Sequence, residues 1–117
     1  MGNPVVHFEV IGADGERLQS FYRDVFGWTI NTDNPMAYGT VNTGGEGITG
    51  GIAGSPDGSS YATFYVQVED PQAALEEIEK QEGTVVMPVM AVPGGPTIAM
   101  FTDPAGNRVG LVKADTM

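Results

Sequence analysis

The order strand, helix, three strands occurs twice along the chain, and this repeat constrains the fold more than any other feature. Residues 4–11 alternate apolar side chains with other types, as a strand with one buried face does. A helical period follows and ends at Gly27. Its apolar residues are Leu18, Phe21, Tyr22, Val25 and Phe26. Three shorter strand patterns, separated by turns, complete this half of the chain at Gly54.

The second half repeats this order after a polar, turn-rich linker at residues 55–60. Residues 61–68 alternate like the first strand. Residues 71–82 form a second helical pattern, which follows a capping Asp70 and ends at Gly83. Three further strand patterns run to the C-terminal end, so the two halves carry the same succession of elements.

One βαβββ unit cannot cover its own sheet, so two copies that share a face are the economical architecture. We therefore predict an α+β fold of two βαβββ modules, which form a curved mixed sheet around a concave cup with the helices on the convex side. The chain is interpreted as one domain, with module 1 at about residues 1–54 and module 2 at about residues 61–117. In this interpretation His7 and Tyr65 are roughly equivalent, at an offset of 58 residues, and the helix-ending Gly27 and Gly83 are offset by 56 residues.

The strand alternation also predicts which side chains face the cup. His7 and Glu9 share one face of the first strand, and Tyr65 and Gln67 share the corresponding face in the second module. Gly110, in the last strand, would face the same cup without a side chain. A ligand of this protein would bind among these positions.

Charge and composition argue against several classes of function. The chain has 5 Lys and Arg against 15 Asp and Glu, a formal net charge of −10, which disfavours nucleic acids and anionic membranes as partners. It has no cysteine, and therefore no disulfide, thiolate metal site or cysteine nucleophile. Neither a signal-peptide pattern nor an apolar run of about 20 residues occurs, so we expect a cytoplasmic protein.

Four segments resemble the vicinal oxygen chelate superfamily, which contains glyoxalase I, extradiol dioxygenases and the fosfomycin and bleomycin resistance proteins. These segments are residues 6–10, 21–28, 50–52 and 101–111, of which the second and fourth are the more specific. The resemblance covers nearly the whole chain and implies the paired βαβββ fold. It also implies a homodimer, because small members of this superfamily often dimerise.

The resemblance further implies where a metal would bind. Metal enzymes of the superfamily place ligands at four positions in the cup. The corresponding residues here are His7, Gly50 or Gly51, Tyr65 and Gly110. Only His7 is a usual ligand, and divalent transition metals bind three or more protein groups. We therefore expect no cofactor; a divalent metal held by His7, Glu9 and atoms of a ligand or partner chain is the less favoured alternative.

Two functions remain open at this point, together with a structural dimer module that has no ligand. The first is a glyoxalase-like or bleomycin-resistance-like protein that binds a small apolar or aromatic metabolite or drug in the cup without a metal. Its candidate ligand-binding residues are His7, Glu9, Tyr65, Gln67, Phe101 and Arg108. The second is a lyase, isomerase or dioxygenase-like enzyme, in which His7 or Glu9 is the base and Tyr65 the acid or oxyanion donor.

Overall fold

The computed structural model describes residues 2–117, and these residues form eight strands and two helices. In chain order the elements are β1 (Val5–Gly12), α1 (Gly15–Phe26), β2 (Thr29–Asn31), β3 (Gly39–Asn42), β4 (Thr49–Gly54), β5 (Tyr61–Val68), α2 (Pro71–Lys80), β6 (Thr84–Ala91), β7 (Thr97–Thr102) and β8 (Arg108–Lys113). The predicted α+β class and the doubled βαβββ order are confirmed. Within the described residues, neither helix has the length and hydropathy of a membrane span.

The chain forms two compact units, which we call the N-terminal unit (residues 7–63) and the C-terminal unit (residues 64–117 with residues 2–6). In the N-terminal unit the strand order is β2, β3, β4, β1. β1 and β4 pair in parallel, with Glu9 opposite Gly51, and the other two pairs are antiparallel. Two side chains that are neighbours across this parallel pair therefore lie on the same face of the sheet.

An aromatic cluster connects β1 to α1 in the N-terminal unit. The Phe8 ring lies 5.5 Å from Trp28, whose ring stacks on Tyr22 and on Phe26 with centroid distances of 5.4 Å each. Gly50 of β4 leaves space for the Phe8 ring, because a Cβ at this glycine would overlap it. Phe8 thus occupies the helix-covered face of β1, and its two sequence neighbours project from the opposite face.

The apolar residues of α1 are only partly buried. Phe21, Val25 and Phe26 are 44%, 56% and 58% exposed, and the Phe26 ring packs on Trp28. The buried side chain of the helix is Gln19, whose Nε2 donates to the Ile52 carbonyl at 2.8 Å. This hydrogen bond joins the helix to the backbone of β4.

In the C-terminal unit the strand order is β5, β8, β7, β6, and β5 pairs in parallel with β8. The core lies between the sheet and α2 and consists of Val68, Leu75, Ala99 and Leu111. Asp70 caps α2 by accepting from the Ala73 N–H at 3.1 Å, and Pro71 begins the helix, as predicted. The helix ends earlier than predicted, at Lys80.

The structural offset between the modules is 56 residues. β1 begins at residue 5 and β5 at residue 61, and the helix caps are Asp14 and Asp70. Tyr65 is therefore equivalent to Glu9, and Thr63 to His7. This offset agrees with the 56 residues between Gly27 and Gly83, and the rough pairing of His7 with Tyr65 differs from it by two residues. A shift of two leaves every side chain on the same strand face, so alternation alone cannot detect it. The predicted homodimer stays a prediction.

Candidate functional site

Three side chains of the N-terminal unit form one hydrogen-bond network. The Tyr38 hydroxyl donates to Glu9 Oε2 at 2.9 Å and lies 3.0 Å from His7 Nε2. Because its single proton is directed at the carboxylate, the Tyr38 oxygen accepts from the Nε2–H of His7. Glu9 is only 8% exposed, and the rings of His7 and Tyr38 are nearly parallel with centroids 6.5 Å apart. The network thus joins a buried carboxylate to an imidazole through one phenol.

A glycine in β4 makes this arrangement possible. Gly51 is the register partner of Glu9 on the parallel strand, and a Cβ at Gly51 would overlap the Tyr38 phenol. Tyr38 therefore crosses β4 over a position without a side chain and reaches β1. The glycine-rich segment around Gly51 was a sequence signal of such close approach, but it did not identify which side chain approaches.

Tyr38 comes from the loop before β3, and sequence reasoning missed it. Asn34 organises this loop: its Oδ1 accepts from the N–H groups of Met36 and Tyr38, and its Nδ2 donates to the Tyr38 carbonyl. The hydroxyl of Tyr38 is thereby brought to the face of the sheet that carries His7 and Glu9. The pattern of residues 36–42 indicates a strand that would contain Tyr38, but β3 begins only at Gly39. The predicted strand therefore started too early, and its alternation did not identify Tyr38 as a site residue.

An open groove of about 610 Å³ is lined in part by Tyr38, and none of the six predicted ligand-binding residues is among its lining residues. Its apolar lining residues include Ile30, Met36, Ala37 and Ala53, and its polar ones are Glu16, Gln19, Ser20, Arg23 and Thr32. All of these residues belong to the N-terminal unit. The volume lies within the range of about 300–1,000 Å³ that is usual for small-molecule sites.

Burial determines the charge state of the imidazole. Desolvation lowers the pKa of His7 below its ordinary value of 6.5, because a partly buried imidazolium loses hydration. His7 is therefore neutral at pH 7 and carries its proton on Nε2, where it donates to Tyr38. In this state the imidazole contributes no formal charge to the network.

The other predicted site residues belong to the C-terminal unit. Tyr65 is 6% exposed, and its ring lies over its register partner Gly110, where a Cβ would overlap it. The backbone N–H of Gln67 donates to the Pro4 carbonyl at 2.9 Å. Phe101 packs against the core under α2 and therefore lies on the face of the sheet opposite to Tyr65. Arg108 is exposed and is the first residue of β8. Phe101 therefore has the packing of a core residue.

The residues at the four positions that the resemblance assigns to a metal do not fit one. Gly51 and Gly110 supply no ligand atom from a side chain, and the phenol rings of Tyr38 and Tyr65 fill the space above them. Within residues 2–117, no group of three or more His, Cys, Asp or Glu side chains is arranged to hold a metal ion. The donor set is thus smaller than the three protein ligands of a usual zinc enzyme.

We predict that Gly51→Ala displaces the Tyr38 phenol and disrupts the network. The added methyl group requires space that the phenol occupies, so the free energy of unfolding should fall by about 1–3 kcal/mol, as in other overpacked sites. Chemical denaturation measures this change. Gly45→Ala is the control, because no atom lies within 4 Å of a Cβ at that position. Equal stability of the two variants would contradict the prediction.

The lowered pKa of His7 also predicts a direction for the pH dependence of stability. As the pH falls, the unfolded chain binds a proton at this histidine before the folded chain does. The contribution of neutral His7 to the free energy of unfolding is therefore complete above pH 6.5 and decreases below it. NMR titration of the only histidine should give a midpoint below 6.5. His7→Gln should reduce the loss of stability on acidification. A midpoint at or above 6.5 would refute the assigned burial effect.

Comparison with known proteins connects this geometry to a family. The family model of the Glyoxalase/Bleomycin resistance protein/Dioxygenase superfamily matches residues 5–111. The protein CFP32 of Mycobacterium tuberculosis, named as a glyoxylase, is 29% identical over 112 residues, which are 87% of this chain and 42% of that protein. A glyoxylase-like domain-containing protein of Didymella fabae is 29% identical over 113 residues, which are 85% of this chain and 84% of that protein. This chain thus spans less than half the length of the mycobacterial relative.

Solved structures share the fold. A superfamily member from Vibrio splendidus superimposes with a TM-score of 0.67 at 18% identity and covers 95% of this chain and 98% of its own. Methylmalonyl-CoA epimerase from Mycobacterium tuberculosis superimposes with a TM-score of 0.66 at 15% identity. The alignment covers 93% of this chain and 86% of the epimerase chain. Together with the match to residues 5–111, these similarities establish that the chain belongs to the glyoxalase, bleomycin resistance protein and dioxygenase superfamily.

Proposed function

We propose that the protein binds a small organic molecule in the groove beside Tyr38 and that it does so without the metal of the superfamily's metal enzymes. The observation that carries this proposal is the double role of Tyr38, which lines the groove and bonds to Glu9 and His7. A molecule that contacts the Tyr38 ring is therefore adjacent to the network. The glycines at the metal positions are the second support, because they leave too few donors for an ion.

The groove suits a ligand with an apolar or aromatic body and one polar end. Met36 and Ala37 provide an apolar surface, and methionine adapts its shape to flat ligands. On the other side, Ser20 and Thr32 offer hydroxyl groups to a polar substituent. Arg23 gives the groove a cation, which is only weakly paired with the exposed Asp24 at 3.4 Å.

Proton transfer is a second candidate function, and the same network favours it. The Tyr38 hydroxyl can pass its proton to the Glu9 carboxylate, and the resulting phenolate, which keeps the hydrogen bond from the Nε2–H of His7, can take a proton from a substrate C–H. The proton held on Glu9 can return through Tyr38 when the substrate is protonated again. Tyr38 would contact the substrate, with Glu9 and His7 acting through it, so it replaces Tyr65 as the candidate acid. Some structures that share the fold are methylmalonyl-CoA epimerases. We therefore extend the proposal to a carbonyl substrate with an exchangeable C–H.

The fluorescent aromatic probe 8-anilinonaphthalene-1-sulfonate (ANS) tests the binding proposal. We predict that ANS binds in the groove and shifts the NMR signals of Tyr38. Met36→Glu should weaken its affinity at least about tenfold, or about 1.4 kcal/mol, because the change removes an apolar lining side chain and adds a negative charge that repels the sulfonate of the probe. Met90→Glu, at a 45% exposed methionine of β6, is the matched control. Similar losses in both variants, or shifts outside the groove, would contradict the proposal.

Hydrogen exchange separates binding from proton transfer. Methylmalonyl-CoA incubated with the protein in D₂O should gain deuterium at its acidic C–H if the network transfers protons to this substrate. Tyr38→Phe should then abolish exchange and leave ANS affinity within about twofold, because the ring remains. ANS binding without exchange supports the binding function over this enzymatic one.

A further inference from the structure

We infer that Asn34 is a positioning residue of this site: its side-chain amide fixes the backbone of Tyr38 and so sets the phenol between Glu9 and His7. The inference rests on the proposed function, since it assigns the residue that holds the proposed site in its working geometry. The side-chain hydrogen bonds of Asn34 reach the Tyr38 backbone, so its effect on Glu9 and His7 passes through Tyr38.

One amide group satisfies both polar groups of the Tyr38 backbone. Asn34 Oδ1 accepts from the Tyr38 N–H at 2.9 Å and from the Met36 N–H at 3.2 Å, and Asn34 Nδ2 donates to the Tyr38 carbonyl at 2.7 Å. The surroundings fix this orientation of the amide. If it were flipped, its NH₂ group would face two N–H donors and its oxygen would face a carbonyl.

The position of Tyr38 explains why such a clamp is needed. β3 begins at Gly39, so Tyr38 lies one residue before the paired strand and outside its ladder of hydrogen bonds. Ala37, immediately before it, has a φ of 53°, a left-handed conformation that is uncommon for alanine. Its N–H donates to the backbone carbonyl of Asn34 at 3.1 Å. Side chain and backbone of Asn34 together hold a loop that strand pairing does not hold.

The same clamp determines the shape of the groove. Met36 and Ala37 both line it. The Met36 N–H donates to Asn34 Oδ1, and the Ala37 N–H donates to the backbone carbonyl of Asn34. Loss of the Asn34 side-chain amide should release the Tyr38 backbone and the Met36 N–H while the bond from Ala37 remains, so that the network opens and the groove changes shape at Met36 in the same variant.

Three variants test the inference on the ligand-free protein. Asn34→Ala removes all the side-chain bonds, and Asn34→Asp keeps the acceptor but loses the donor to the Tyr38 carbonyl. Asn42→Ala is the matched control, since Asn42 Oδ1 accepts from the Gly44 N–H at 2.8 Å in another turn of the same unit. The first readout is the nuclear Overhauser contact between the His7 imidazole and the Tyr38 ring. The second is ANS affinity, and the third is the unfolding midpoint.

We expect Asn34→Ala to lose the His7–Tyr38 contact and to weaken ANS binding at least about tenfold. Asn34→Asp should give a smaller loss of both, and Asn42→Ala should change neither. A lower unfolding midpoint in Asn34→Ala with an intact contact would overturn the inference, because a purely structural role predicts that result. If Asn34→Ala does not fold, the contact in Asn34→Asp decides: a weakened contact supports the inference and an unchanged one overturns it.

The same measurements separate a failure of the positioning role of Asn34 from a failure of the proposed binding function. If the wild-type protein does not bind ANS but Asn34→Ala loses the His7–Tyr38 contact, the positioning role stands and the proposed binding function fails. If ANS binds in the groove with equal affinity to wild type and Asn34→Ala, and the contact persists, the positioning role fails and the binding function stands.

Discussion

The hydrogen bond from the Tyr38 hydroxyl to the Glu9 carboxylate is the interaction on which the rest of the site depends. Glu9 is 8% exposed, and a buried carboxylate without a donor costs several kcal/mol. Tyr38 supplies that donor across β4 at 2.9 Å. Its path requires a position without a side chain, which Gly51 provides. Once the proton of the phenol is directed at Glu9, its oxygen is left to accept from His7, and this fixes the histidine tautomer.

Both units place a tyrosine ring over a glycine, but they do so in different ways. In the C-terminal unit, Tyr65 lies over Gly110, its own register partner on the parallel strand. In the N-terminal unit, the register partner of Gly51 is Glu9, and the covering ring of Tyr38 comes from a loop. Each unit thus uses a glycine to make room for a phenol on the face of the sheet opposite its helix. In the N-terminal unit this phenol bonds to Glu9 and His7.

Sequence periodicity was sufficient for the fold because strands and helices impose their own spacing. It located both helices, the doubled order of elements and the face shared by His7 and Glu9. It was insufficient for the site because it indicated a strand over residues 36–42, whereas Tyr38 lies in the loop before β3, where hydrogen bonds with Asn34 and not alternation hold its backbone. It paired Tyr65 only roughly with His7, since a two-residue shift preserves strand alternation. The apolar period of α1 also did not identify Gln19 as the buried side chain of that helix.

The most direct test of this account is a double-mutant cycle between Glu9→Gln and Tyr38→Phe, with the free energy of unfolding measured by chemical denaturation. Each single change removes one partner of the buried bond, and the double variant reports whether their effects are independent. A hydrogen bond to a buried carboxylate predicts a coupling energy of about 1.5–3 kcal/mol. Additive effects, with a coupling energy within about 0.3–0.5 kcal/mol of zero, would contradict the account.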